Sequence, residues 1–182
     1  LEGGDDTIGN IAGAGNIHIP SGDTLTTNTS NTTTFSGVIS GPSGDIGGNL
    51  IKSGNGTLTL TGINTYAGTT TISGGMISIS ADSGLGAAPG SATAGHLTLN
   101  GGILQSTADF ILNSNRGIAL GTSHGTINVD GSTTLTYDGI IAGSNNLTKA
   151  GNGTLLLSGA NTYSGNTVIS EGTFLTTGTL AD

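Results

Sequence analysis

Carboxylates are the side chains of this 182-residue sequence that could support the widest range of catalysis. Glycoside hydrolysis, for example, needs two nearby carboxyl groups that divide the roles of acid and of base or nucleophile. The acidic residues here are dispersed, and the one adjacent pair, Asp5 and Asp6, lies near the start of the sequence. The chain also has a single arginine, Arg116. This pattern predicts no catalytic residues, and we predict that the chain is not an enzyme.

The histidines are the next candidates for chemistry. His18, His96 and His124 could bind one metal ion only if the fold brought three distant segments into register. We interpret them as single surface or turn residues and predict no metal site and no cofactor. The stretch EGGDDTIG resembles calcium-binding nonapeptide repeats, but it lacks their tandem G-G-x-G-x-D pattern. A calcium site at Asp5 and Asp6 is therefore a minor alternative.

The charge of the chain is strongly negative, at −8, with only three basic residues. Lys52, Arg116 and Lys149 are scattered, whereas binding to nucleic acid requires clustered Lys and Arg. No apolar run approaches the ~18 residues of a membrane-spanning helix. We predict neither a nucleic acid partner nor membrane insertion. The two lysines recur in similar surroundings, and we interpret both as residues that flank a turn and increase solubility.

Short strands between glycines are the elements that this composition favours. The chain has 35 Gly and few long charged residues, so helix formers are scarce. Leu58 and Leu60 alternate with threonines in Thr57–Thr61, which predicts a strand with one apolar and one polar face. Glycine follows this stretch, as it follows others of the same kind, and predicts a corner after each short strand.

An internal repeat organises the sequence. Residues 50–77 align without a gap with residues 147–174, and 17 of these 28 positions are identical. The stretch FSGVISG, upstream of the first copy, matches YDGIIAG upstream of the second. We expect one β-solenoid segment of a larger protein over residues 1–182, with repeat copies at about 35–80 and 137–178 and non-repeating turns and loops at 81–136. The repeat signature consists of Gly54, Gly56, Leu58, Leu60, Gly62, Asn64, Tyr66, Gly68, Gly151, Gly153, Leu155, Leu157, Gly159, Asn161, Tyr163 and Gly165.

Geometry explains the recurrence of this signature. We expect its leucines to fill a core, Gly62 and Gly159 to adopt left-handed corners, and Asn64 to cap its own backbone at a corner. The pattern predicts an all-β fold, a parallel β-solenoid of roughly eight or nine turns that stack to form a continuous core. The alternative is a β-sandwich or barrel of hairpins, for which Asn55-Gly56 offers a turn.

The two copies, LIKSGNGTLTLTGINTYAGTTTISGG and LTKAGNGTLLLSGANTYSGNTVISEG, resemble the passenger-associated transport repeat, also called the autotransporter-associated β-strand repeat. This resemblance covers roughly half of the chain. It implies a right-handed β-helix passenger of a large secreted bacterial protein, presented at the cell surface as an elongated stalk. Family members include adhesins. The repeat is associated with secretion and passenger folding, and it has no catalytic signature.

On this basis we predict a structural and adhesive stalk segment of an exported bacterial surface protein. The expected partners are other segments of the parent protein, extracellular glycans or proteins, and further copies that associate through solenoid ends or faces. The insertion Pro42–Asn49 and the segment Ala81–Ala94 are candidate binding loops. Leu156 and Val168 form a candidate contact patch, because they replace outward polar residues of the first copy.

Two other functions remain open. A carbohydrate-binding or carbohydrate-cleaving β-helix would need a cleft lined by Tyr66 or Tyr163, with aspartates on adjacent turns. An ice-binding solenoid would need regular rows such as the Thr-x-Thr-x-Thr of Thr57–Thr61. The spacing between such rows is irregular, and Leu156 interrupts the corresponding row of the second copy.

Overall fold

The computed structural model describes residues 3–42 and 47–180. Within these residues the chain forms short strands and one 3-10 turn, Asp82–Leu85. The strands are β1 (Asp6–Ile8), β2 (Ile17–His18), β3 (Thr24–Asn28), β4 (Thr33–Phe35), β5 (Ile39–Ser40), β6 (Asn49–Ser53), β7 (Thr57–Leu60), β8 (Thr70–Ile72), β9 (Met76–Ile79), β10 (Thr93–Leu99), β11 (Ile103–Ser106), β12 (Phe110–Leu112), β13 (Arg116–Leu120), β14 (Gly125–Val129), β15 (Thr134–Tyr137), β16 (Ile141–Gly143), β17 (Leu147–Ala150), β18 (Thr154–Leu157), β19 (Thr167–Ile169) and β20 (Thr173–Thr176).

The strands stack into a parallel β-solenoid of about 8 turns, which confirms the predicted fold class. The first sheet has the order β1-β3-β6-β8-β10-β13-β16, and the second has the order β4-β7-β9-β11-β14-β17-β19. The third sheet is β12-β15-β18-β20, and β2 pairs with β5. Every pair among the described strands is parallel, whereas hairpins would make neighbouring strands antiparallel.

The core consists of apolar columns that run along the stacked turns. Leu58 lies opposite Ile77, which lies opposite Leu104, and all three are completely buried. The period-two alternation predicted for Thr57–Thr61 is confirmed, because Leu58 and Leu60 face the core, whereas Thr57 and Thr59 are half-buried and Thr61 is exposed. Each fully buried aliphatic side chain stabilises the stack by about 1.5–3 kcal/mol relative to an exposed one.

The two repeat copies lie on different faces of the solenoid. In the first copy the strand that starts the repeat, β6, is in the first sheet, and the next strand, β7, is in the second. In the second copy the matching strands, β17 and β18, are in the second and third sheets. Four turns lead in register from Leu50 through Thr70, Leu97 and Ile118 to Ile141, and Leu147 lies on the strand that follows. The copies are therefore separated by four turns and one further face.

Glycine serves two different purposes in the corners. Gly54 has a φ of 72°, a left-handed conformation that side chains disfavour. The left-handed corners predicted at Gly62 and Gly159 are wrong, because neither residue has a positive φ. A Cβ on Gly62 would instead collide with the carbonyl oxygen of Gly37, and the equivalent atom on Gly159 would collide with that of Gly139. At these two positions glycine is required because the turns approach each other closely.

Candidate functional site

The signature asparagines bridge successive turns. The Oδ1 atom of Asn64 accepts a hydrogen bond from the Ile39 N–H at 2.8 Å, and its Nδ2 donates to the Gly84 carbonyl at 2.8 Å. Ile39 and Gly84 belong to the turns on either side, 25 and 20 residues away. The prediction that Asn64 caps its own backbone is therefore wrong. A side chain that is only 3% exposed instead satisfies polar backbone groups in both neighbouring turns.

Asn161 repeats this arrangement in the second copy. Its Oδ1 accepts from the Ile141 N–H at 2.9 Å, and its Nδ2 lies 3.1 Å from the Gly159 carbonyl and 3.3 Å from the Thr179 carbonyl. Ile141 and Thr179 again belong to the two neighbouring turns. The asparagine at this signature position thus connects three successive turns in both copies. The two copies do so on different faces of the solenoid.

The signature tyrosines are core residues. Tyr66 is completely buried, with its hydroxyl 2.7 Å from Thr70 Oγ1, and Tyr163 is 1% exposed, with its hydroxyl 2.5 Å from Thr167 Oγ1. Burial raises the pKa of Tyr66 to about 12. A carbohydrate cleft lined by either ring would require an exposed aromatic face, and neither tyrosine offers one.

The two recurring lysines are buried, so their interpretation as exposed, solubilising residues is wrong. Lys52 Nζ donates to the carbonyls of Ser53 at 2.6 Å, Gly54 at 3.0 Å and Gly74 at 3.2 Å. Desolvation lowers the pKa of this ammonium group. The three acceptors satisfy all three of its donors, and they join the glycine corner of one turn to that of the next.

Lys149 does the same in the second copy. Its Nζ donates to the carbonyls of Ala150 at 2.8 Å, Gly151 at 2.7 Å and Glu171 at 3.3 Å. Burial lowers its pKa too. An ammonium group has three donors and needs no acceptor, so it suits a corner where three carbonyl oxygens converge.

An ion pair that the sequence analysis did not predict anchors the non-repeating segment. Arg116 is completely buried, and its Nε and Nη2 donate to the two carboxylate oxygens of Asp82 at 2.8 and 3.0 Å. Nη1 donates to the Leu85 carbonyl at 2.9 Å, and Nη2 also donates to the Gly86 carbonyl at 2.6 Å. The guanidinium group thus holds the 3-10 turn and the start of the loop after it. The feature of the sequence that could have indicated this buried ion pair is the presence of a single arginine in a chain with few charged residues.

The histidines have different environments. His18 and His124 are exposed, as predicted. His96 is only 4% exposed, and its Nε2 atom has no hydrogen-bond partner, so the surface or turn assignment is wrong for this residue. Desolvation, and then the positive charge of Arg116, lower the pKa of its imidazole. Among the described residues, no group of three or more His, Asp or Glu side chains is placed to hold a metal ion.

Several aspartates connect neighbouring turns, two of them near the start of the chain. Asp5 Oδ1 accepts from the Thr24 N–H at 2.8 Å, and Asp23 Oδ2 accepts from the Gly4 N–H at 2.8 Å. Asp109 does the same for the Thr134 N–H at 2.6 Å. These carboxylates are therefore used as acceptors between neighbouring turns.

The two members of the candidate contact patch lie on different faces. Leu156 is half-buried on β18 of the third sheet, where it lies between Thr136 and the exposed Leu175. Val168 is 43% exposed on β19 of the second sheet. They do not form one surface, and a contact between either of them and a partner stays a prediction.

Two further candidate regions are the insertion Pro42–Asn49 and the threonine row of Thr57–Thr61. Residues 43–46, the centre of the insertion Pro42–Asn49, lie outside the described residues. The row Thr57–Thr61 does not continue as threonine onto the next turn, because Thr57 lies opposite Met76 and Thr59 opposite Ser78. An ice-binding array of threonines is therefore not formed on this face.

The remaining signature residues serve the stacking of turns. Leu155 and Leu157 are completely buried. Gly151 has a φ of 73°, like its counterpart in the first copy. A Cβ on any of the other signature glycines would meet backbone atoms of the preceding turn at 2.5 Å or closer, and these glycines are Gly56, Gly68, Gly153 and Gly165.

Comparison with known proteins assigns the repeat. Residues 50–79 and 147–181 match the family model of the passenger-associated-transport-repeat. Both repeat copies of the chain are therefore instances of this repeat. It is also similar to the adhesin BmaC autotransporter of Brucella suis biovar 1 (strain 1330), with 40% identity over 140 residues. The matched region is 74% of this chain and 4% of that adhesin, so the chain corresponds to a small part of a much longer relative.

Two further comparisons complete the description. No solved structure matches the chain. Within the described residues, no helix has the length and apolar character needed to cross a membrane.

Proposed function

We propose that this chain is a non-enzymatic stalk segment of an exported bacterial adhesin, which holds adhesive loops away from the cell surface. The observation that carries the proposal is the connection of each repeat to both of its neighbours through buried polar side chains. Asn64 and Lys52 both bond to the following turn, and Asn64 also bonds to the preceding one. A stack joined in this way resists bending and local opening, as a spacer must.

The dimensions suit a spacer. About 8 turns, separated by about 4.8 Å each, give a rod of roughly 40 Å. Many such segments in series would place a tip far from its anchor, and the similarity to a small part of a very long adhesin supports this arrangement. On this proposal the neighbouring segments of the parent protein are the first partners, and extracellular glycans or proteins are bound by the loops.

The repeat itself would contribute to secretion and passenger folding. Each turn finds its hydrogen-bond partners about 20–25 residues away, as Asn64 does. Such a chain can fold turn by turn as it emerges outside the cell, because each new turn needs only the one before it. This sequential folding would draw the chain outward without an enzyme or an energy source at the surface.

Deletion of a whole turn tests the rod. Removal of residues 50–69 places Thr70 where Leu50 stood, one full step of the register, so we expect a folded rod shorter by about 4.8 Å. Removal of residues 50–59 is the matched control, since it puts the second half of a turn out of register. X-ray scattering and circular dichroism would measure length and strand content. Equal tolerance of both deletions would contradict the stacked-spacer proposal.

Adhesion needs its own assay. Beads coated with the complete chain should attach to cultured mammalian cells more than beads coated with albumin. Beads coated with the heat-unfolded chain are the control for non-specific sticking. Attachment no greater than that of either control would remove the adhesive part of the proposal and leave the spacer part intact.

A further inference from the structure

His96 lies in a bulge of β10 that makes no ladder pairs. Thr93 lies opposite Arg116 on β13, and the next residue of β10 that pairs with β13 is Leu97. On its other side β10 pairs with β8 only from Leu97 onwards. Residues 94–96 therefore belong to neither ladder, and they can move without breaking the strand pairing that follows them.

The bulge places His96 and Leu97 in the interior together. In a regular strand adjacent side chains point to opposite faces, yet His96 is 4% exposed and Leu97 is 1% exposed. The Nε2 atom of the imidazole has no hydrogen-bond partner. In the charged form both ring nitrogens are donors, so protonation would leave a buried N–H without an acceptor.

Charged and titratable groups surround this imidazole on three other segments. Burial, and then the positive charge of Arg116, lower the pKa of His96, while a hydrogen bond with the backbone of Ala67 and the charge of Asp82 raise it. Tyr66, the residue before Ala67, stays neutral at pH 7 because burial raises its pKa to about 12. Asp82 already pairs with Arg116, so a charge on His96 would have no carboxylate of its own.

The turn that contains Arg116 also holds the loop before the bulge. Arg116 Nη1 donates to the Leu85 carbonyl at 2.9 Å. Asn115 Nδ2 donates to the Pro89 carbonyl at 2.9 Å, and the Asn115 carbonyl accepts from the Thr93 N–H at 2.8 Å. The loop is thus held along its length by two consecutive residues, one of which carries the charge that a protonated His96 would repel.

We propose that His96 is an acid-sensitive switch that holds the candidate binding loop Ala81–Ala94 against the solenoid at neutral pH and releases it in mild acid. Histidine is the side chain whose charge ordinarily changes in this range. Because the folded-state pKa of His96 is below the ordinary value of 6.5, the stabilisation by the buried neutral ring is complete above about pH 6.5 and is lost as the pH falls below it. The protonated ring then moves to solvent with residues 94–96, and the contacts of the loop with Asn115 and Arg116 weaken.

Amide hydrogen exchange of the complete chain at pH 7 and pH 5 tests the switch. Rates are expressed as protection factors, which removes the pH dependence of the chemical exchange itself. The reporters are the Thr93 N–H, bonded to the Asn115 carbonyl, and the Ala87 N–H, bonded to the Tyr66 carbonyl. We expect their protection to fall roughly tenfold or more at pH 5, whereas the Ile103 N–H in β11 should keep its protection.

Two variants remove the titrating group. His96→Gln and His96→Phe should show the same protection of Thr93 at both pH values. His124→Gln is the matched control, since His124 is exposed, and it should keep the full pH response. Unchanged protection of Thr93 in the unmodified chain, or a full pH response in both His96 variants, would overturn the proposal.

A measurement on the unmodified chain decides if neither variant folds. NMR signals of the imidazole ring give the titration of His96, and the loss of protection at Thr93 should follow the same pH dependence. A loss of protection that follows the titration of another group would overturn the proposal. None of these results bears on the spacer function.

Discussion

Replacing Asn64 by aspartate tests the bridging role of the signature asparagine, because the only change is that an oxygen replaces the side-chain NH2 group. The carboxylate can still accept from the Ile39 N–H, as Oδ1 does now. The second oxygen, however, would face the Gly84 carbonyl, to which Nδ2 currently donates at 2.8 Å. Two acceptors would then oppose each other at a position that is only 3% exposed. The resulting destabilisation is electrostatic, and it depends on whether the new carboxyl group is protonated.

The expected cost is that of an ionised carboxylate that faces a carbonyl oxygen at a buried position. Burial next to a carbonyl would raise the pKa of the new carboxyl group by roughly 2–3 units, which includes the hydrogen bond to Gly84 that only the protonated group can make, and each unit corresponds to about 1.4 kcal/mol at neutral pH. The variant should therefore be about 3–4 kcal/mol less stable than the wild type at pH 7. Because the folded-state pKa is raised, this penalty should largely disappear near pH 4, where the protonated group can donate to Gly84.

Urea unfolding at pH 7 and pH 4, monitored by circular dichroism, measures both quantities. Asn161→Asp should behave in the same way, since Asn161 occupies the equivalent position. Asn55→Asp is the matched control at an exposed position, where we expect a change within about 0.5 kcal/mol at either pH. The bridging argument would be refuted if Asn64→Asp cost no more than this control, or if its penalty were the same at both pH values.

Three further predictions concern backbone contact, titration and the buried ion pair. Gly62→Ala should lower the melting temperature, because the added Cβ would collide with the carbonyl oxygen of Gly37. Gly15→Ala is the control and should not lower it, because no atom lies within 4 Å of the Cβ added there. Equal melting temperatures of the two variants would contradict the argument that the turns approach closely at Gly62. The pKa values of Tyr66 and Tyr137 are raised to about 12, so their stabilisation is complete below about pH 10 and is lost as pH rises through 12, by about 2.7 kcal/mol each. Alkaline unfolding followed by circular dichroism should show this loss, and the double Phe variant should lack it; an unchanged profile would refute the assignment. Arg116→Lys should cost about 2 kcal/mol in urea unfolding and speed amide exchange in the 3-10 turn, because a point charge cannot replace the bidentate fork; full stability would show that the fork is dispensable.

The core of the solenoid could be predicted from the sequence because the relevant signal is local. Alternation places Leu58 and Leu60 on one side of any extended strand, whatever the strand later pairs with. The repeat then indicates that one such unit stacks on another. The roles of Lys52 and Asn64 could not be predicted for the opposite reason, since each binds a partner on another turn, Gly74 and Ile39 respectively, that lies more than 20 residues away. A lysine that satisfies carbonyls in a buried corner has the same sequence context as one that points into solvent.

The sequence by itself determined the all-β class, the inward leucines and the presence of two copies of the passenger-associated-transport-repeat. Only the tertiary structure decided how far the two copies are rotated about the solenoid. Successive turns differ in length, with 20 residues from Leu50 to Thr70 and 27 from Thr70 to Leu97, so equal sequences need not lie on equal faces. The bulge beside Gly95 in β10 and the buried pair of Arg116 with Asp82 arise in the same way. Each depends on which residues of adjoining turns meet, and that depends on the lengths of the turns between them.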